Sequence, residues 1–116
     1  MSGDLSLTEI GRVSLANSAR WFPEVHERGH QAVLIHLALG IAGEAGEVVD
    51  VVKKVDICGD LDDTCEMHAP GKHSVRALSD EMADLLTYLV NLAALLDIDL
   101  AAVWERKQAE CEKRWG

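Results

Sequence analysis

Two short segments of this chain carry acids at a spacing that could hold a cation. Gly40-Ile41-Ala42-Gly43-Glu44-Ala45-Gly46-Glu47-Val48-Val49-Asp50 contains Glu44 and Glu47, and Asp80-Glu81-Met82-Ala83-Asp84 contains Glu81 and Asp84. Three residues advance an α-helix by about 300°, so each pair projects from one helix face, one turn apart. Both pairs sit in otherwise apolar runs, where charges are rarely buried without a partner. Two carboxylates about 4 Å apart repel by about 4 kcal/mol at an effective dielectric of about 20. Four that converge must share protons, stay wet or bind a cation. Oxygen-only donors favour Mg²⁺, Mn²⁺ or Ca²⁺ over zinc, and Mg²⁺ characteristically recruits phosphate oxygens, which suits phosphoryl chemistry. The competing reading is a solvated or salt-bridged helix face, because E-x-x-E pairs are common on helix surfaces.

The same helical arithmetic places further groups. Lys54 falls about 80° from Glu44 on the side of Glu47, whereas Lys53 falls on the opposite side. Tyr88 and Asn91 follow Glu81 and Asp84 on one face of their helix. A cation, a phenol and an amide thus follow the acids within one or two turns, all suited to contacting a ligand. Gly40, Gly43 and Gly46 recur every third residue, although each costs about 1 kcal/mol relative to Ala in a helix interior. Such a strip of small residues permits close helix approach or leaves room for a ligand beside the acids.

Four helical segments must position these groups. The first spans 7–21, with Thr8 or Ser6 as cap and Pro23 ending it. Residues 23–29 read as a linker. The second spans 30–55, with Leu34, Leu37, Ile41, Val48, Val51 and Val55 at helical spacing. Residues 56–74 lose periodicity and gather Gly59, Pro70 and Gly71, so they form the one irregular region. The third helix spans 75–96, with Ser74 or Ser79 near its start. Asp97-Ile98-Asp99 breaks the chain, and Asp99 can cap a fourth helix reaching about Arg114. Two long helices that are apolar nearly all round need partners on more than one face, which points to a bundle that associates with further bundles.

Composition narrows the class. The 116 residues fit one domain, 1–116, and 48% hydrophobic content suffices for a core. Aromatics are only 4%, so that core is Leu, Val, Ile and Ala, which favours packed helices. A net charge of −9 argues against a nucleic-acid polymer as partner, since its backbone demands a basic surface. A free nucleotide can arrive with its own metal. His30, His36, Glu44, Glu47 and Asp50 interrupt the longest apolar stretch, and Met1-Ser2-Gly3-Asp4 lacks a signal-peptide pattern, so a soluble cytoplasmic protein without membrane contact is expected. Three cysteines do not suggest a disulfide framework.

Other residues carry weaker signals. Cys58, Cys65, His68 and His73 could bind zinc, but no C-x₂-C knuckle is present and a plain surface loop is preferred. His36 reads as a satisfied helix histidine rather than a ligand. Trp21 reads as core, Trp104 as either packing or a stacking surface, and Cys111 as structural.

The segments 40–54 and 80–89, with the flanking helix from Leu100 through Trp104 and Lys107 to Arg114, resemble the MazG-like all-α nucleoside triphosphate pyrophosphohydrolases. The shared mark is an E-x-x-E pair followed by an E-x-x-D pair, here Glu44, Glu47, Glu81 and Asp84. The similarity covers roughly residues 30–114. It implies a bundle of four or five helices, assembled as a homodimer or homotetramer. It implies Mg²⁺, with Mn²⁺ as a substitute, held by the four acids. It also implies hydrolysis of an NTP or dNTP to the monophosphate and pyrophosphate. By the same carry-over Glu47 also orients the attacking water. Lys54 or Lys53, Lys107 and Arg114 are candidate phosphate contacts, and Tyr88 and Asn91 candidate sugar or base contacts. The interval between Glu47 and Glu81 is longer than the family's usual one, and the excess falls in 56–74, where an insertion costs little. Rival readings are a phosphoribosyl-ATP pyrophosphohydrolase, a di-iron carboxylate bundle (disfavoured because neither pair is E-x-x-H) and a non-catalytic helical metal-binding or interaction module.

Overall fold

The computed structural model describes residues 5–55, 59–61 and 73–116, and among them the chain is all-α. The described helices are α1 (Leu7–Trp21), α2 (Pro23–Glu27), α3 (His30–Lys53), α4 (Val75–Leu95) and α5 (Leu100–Trp115). They fall into two compact units. The first comprises Met1–Leu37 and Leu89–Gly116, the second Ala38–Tyr88.

Local chemistry sets the helix ends. Ser6, not Thr8, caps α1: its Oγ accepts the Glu9 amide at 3.1 Å. The stretch 23–29, which the sequence pattern assigns to a linker, instead opens with α2. Pro23 stands at its start, where a missing N–H costs nothing and the fixed φ is already helical. Gly29 then joins α2 to α3 at φ 101°, a conformation open to glycine and strained for other residues. Ser74, not Ser79, caps α4 by accepting the Ala77 amide at 2.9 Å, while the Ser79 hydroxyl donates to the Val75 carbonyl at 2.7 Å. The end of α4 is a Schellman turn: Asp97 takes φ 55°, its amide donates to Ala94 O at 3.2 Å, and the Ile98 amide donates to Ala93 O at 2.8 Å. Two residues later Asp99 caps α5 through the Ala102 amide at 3.1 Å.

In the first unit α1 packs on α2 and α5. Val33, Leu37, Val90 and Ala93 are buried there. Gly11 of α1 lies so close to α4 that a Cβ would stand 2.6 Å from the Val90 carbonyl oxygen. Ser18, also buried, hydrogen-bonds His26 at 3.0 Å. Trp21, read as core from the sequence, is 62% exposed; it ends its helix, and the Arg20 guanidinium lies over its ring at 5.6 Å. His36 stacks obliquely on Phe22, with ring centroids 5.8 Å apart, in keeping with a helix histidine satisfied by packing.

In the second unit α3 and α4 run antiparallel: the ring of Tyr88 lies against Gly40, and Asp84 lies near Glu44. A Cβ on Gly40 would overlap the Tyr88 ring, so this glycine is a close-approach position. Val51 is buried, while Val49 and Val52 on the other side of α3 are exposed. By length and composition α3 is long enough and apolar enough to cross a membrane, even though its polar residues interrupt the run. Those polar residues include Glu44 and Glu47, and a charge at a bilayer centre costs about 2.5–3.5 kcal/mol on insertion scales.

Candidate metal centre

The second unit brings acids from α3 and α4 together. Glu44, Glu81 and Asp84 each offer a carboxylate oxygen, and the three oxygens lie within 4.8 Å of one another. The geometry follows from two sequence facts. Spacing of three puts Glu81 and Asp84 on one face of α4, and the antiparallel pairing at Gly40 and Tyr88 sets that face opposite Glu44. Glu44 and Glu81 are half-buried, whereas Asp84 and Glu47 are exposed. Glu47 stands one turn further along α3 and is not among the three converging groups, though its charge is felt at Glu44.

Crowding shows in the protonation of Glu44. Desolvation pushes its pKa above the ordinary carboxyl value, and the negative charges of Asp84, Glu81 and Glu47 push it further. A hydrogen bond with Glu81 also favours the protonated form. Among the described residues, none of the four acids forms an ion pair with Lys or Arg. That disfavours the salt-bridged reading of the face. A hard divalent cation would relieve the repulsion, and an all-carboxylate donor set fits Mg²⁺ or Mn²⁺. Space is open on the Glu47 side of the helix: a Cβ on Gly43 would meet no described atom within 4 Å.

The remaining predicted site residues are distributed over both units. In the second unit, Tyr88 lies against α3, and Lys53 and Lys54 both bond Asp50, at 3.0 Å and 3.1 Å. Asn91, Lys107 and Arg114 belong to the first unit. Asn91 is buried, and its Oδ1 has no hydrogen-bond partner among the described residues. A buried acceptor left in that state costs about 1–3 kcal/mol. Lys107 and Arg106 both pair with Glu110 on the surface of α5, and Arg114 is exposed in its last turn.

Asp50 is the residue that the sequence motif contains but spacing arguments leave without a role. Its signal was available: Lys53 and Lys54 stand three and four residues later, the two spacings at which helix side chains meet. Of the four Cys and His residues considered for zinc, Cys58, Cys65 and His68 lie outside the described residues, and His73 is buried. Trp104 is exposed on α5, and so is Cys111, read as structural from the sequence but not buried among the described residues.

A family model described as the MazG nucleotide pyrophosphohydrolase domain matches residues 34–114, most of the chain. That span takes in both acid pairs and runs through α5 to Arg114. No curated protein matches the chain at a significant level.

Proposed function

The chain belongs to the MazG nucleotide pyrophosphohydrolase family, and on that premise we propose that it converts an NTP or dNTP to the monophosphate and pyrophosphate with Mg²⁺ as cofactor. Membership makes it a hydrolase of nucleotide phosphoanhydride bonds; the substrate set and the metal are the proposal. The observation that carries it is the meeting of Glu44, Glu81 and Asp84 within 4.8 Å with no ion pair to a basic side chain among the described residues.

Glu44, Glu47, Glu81 and Asp84 would hold the cation, which supplies charge neutralisation at the phosphates and lowers the pKa of a bound water. Glu47 is exposed and one turn from the three clustered acids, which suits it to accept a proton from the attacking water while the other carboxylates are engaged. Water adds at the α-phosphorus, the bond to the bridging oxygen breaks, and pyrophosphate leaves. Lys53 and Lys54 contact phosphate. Tyr88, the sugar or base contact, lies against α3 in the same unit as the acids.

The working form is a homodimer or homotetramer. Leu39, Val49 and Met82 are exposed on α3 and α4, and burial against another copy would remove that apolar surface from water. The deciding experiment is a product assay over the common NTPs and dNTPs, with phosphoribosyl-ATP included, in Mg²⁺. Pyrophosphate release is expected. Release of orthophosphate alone, or no turnover of any nucleotide, would refute the proposal.

A further inference from the structure

We propose that Asp50 is a positioning residue that gathers the ammonium groups of Lys53 and Lys54 into a two-cation seat for a substrate phosphate; this rests on the pyrophosphohydrolase reading and extends it. The two lysines do not share one oxygen of Asp50. Lys53 Nζ lies 3.0 Å from Oδ1 and Lys54 Nζ 3.1 Å from Oδ2. Each ammonium is therefore held on its own side of one carboxylate. An anion with two or more oxygens at similar separation, such as a terminal phosphate, meets the same pair of donors.

Helix geometry explains why an intermediary is needed. α3 ends at Lys53 rather than at 55; helical spacing carried one residue further puts Lys54 on the stripe of Glu47, whereas Lys53 leaves on the opposite side from Glu44. Asp50 stands between the two directions, about 60° from Lys53 and about 40° from Lys54. Its bond to Lys53 turns that ammonium round the helix toward Lys54 and toward the acid-bearing stripe. Two ammonium groups left alone repel and drift apart, so the pair converges only with a negative group between them. The trio keeps a net positive charge, one to two turns beyond Glu47.

Burial separates this trio from a casual surface pairing. The Lys54 side chain is only 20% exposed, so its stem is packed and its ammonium is already held in place. Lys53 is 63% exposed, which leaves the seat open to an incoming anion. Much of the entropy cost of ordering a long side chain on a ligand is thus met before binding.

The test compares Asp50→Asn and Asp50→Glu with the parent chain, using full-length protein with Mg²⁺. For Asp50→Asn, KM for the nucleotide rises by roughly tenfold while kcat stays within about twofold, and Asp50→Glu restores most of the loss. Inorganic pyrophosphate, titrated by calorimetry, weakens in parallel. Circular dichroism checks that each variant folds. An unchanged or lowered KM, or a fall in kcat alone, overturns the role assigned to Asp50. The pyrophosphate titration distinguishes the two levels of the argument. If no nucleotide is hydrolysed yet pyrophosphate binding depends on Asp50, the seat stands and the reaction assignment fails. If hydrolysis proceeds and pyrophosphate affinity ignores Asp50, the seat alone fails.

Discussion

The two units spend their small and polar residues in opposite ways. In the first, Gly11 gives up its side-chain space to the Val90 backbone, and Ser18 is buried in a hydrogen bond with His26. In the second, Gly43 and Gly46 face open space, and three carboxylates crowd together with no counter-charge among the described residues. One arrangement maximises contact; the other keeps a repulsion that packing alone would remove. A fold that tolerates both in 116 residues is paying in the second unit for something other than stability.

Substitutions at the acids give the widest separation between the units. Glu81→Gln is expected to lower turnover by about a thousandfold while the protein still folds, because a metal-held charge contributes several kcal/mol to the transition state. Glu47→Gln behaves alike. Melting curves without metal should be unchanged or shifted upward for Glu81→Gln, since one repelling charge is gone. Loss of folding would make these carboxylates structural and erase the contrast.

The glycines come next. Gly11→Ala is expected to destabilise by about 1–3 kcal/mol, because the new Cβ meets backbone rather than a movable side chain. Gly43→Ala is expected to stabilise the chain by up to about 1 kcal/mol through helix propensity, its Cβ meeting nothing. Denaturant titration reads both. If Gly43→Ala also impairs turnover, the open face beside the acids is where substrate lies.

The pH response is smaller and has opposite signs at different groups. The folded pKa of Glu44 is raised, so its contribution to stability is complete below the ordinary value of 4.5 and is lost as pH rises through the folded value. Asp50 and Glu110 are lowered, chiefly by hydrogen bonds, from Lys53 and Lys54 in one case and from Lys107 and Arg106 in the other. Their contributions are present above the ordinary values of 3.8 and 4.5 and fade as pH falls through the depressed ones. Melting temperatures across acidic pH, with and without Mn²⁺, check this: the cation stabilises least where Glu44 keeps its proton. The smallest effect is expected at Glu110→Gln, whose ion pairs are solvent-exposed and which should leave the melting temperature unchanged.

Much of this is legible in the sequence. Caps and prolines marked α1, α4 and α5 to within a residue or two, because Ser6, Ser74 and Asp99 each satisfy an amide that no helix can satisfy internally. The acid pairs were legible because a spacing of three has one meaning on a helix. Less local features were not. A five-residue α2 is too short to show a period. Trp21 occupies an apolar stripe by count, yet it stands at the last position of its helix, exposed beneath Arg20. The arithmetic for Lys53 gave the direction of its Cβ, whereas a four-carbon side chain can swing back to Asp50.

The Tyr88 ring seated over Gly40 works like a dowel in a notch. Helices with many similar aliphatic residues can slide along each other by a turn, about 5.4 Å, with little change in buried area. An aromatic plate that fits at only one bare spot on the neighbouring rod forbids that slip. Since Asp84 stands one turn from Tyr88 and Glu44 one turn from Gly40, locking the first pair locks the alignment of the second. The meeting of the acids is then inherited from a steric key that never touches them, and enlarging residue 40 should misalign the carboxylates without altering any of them.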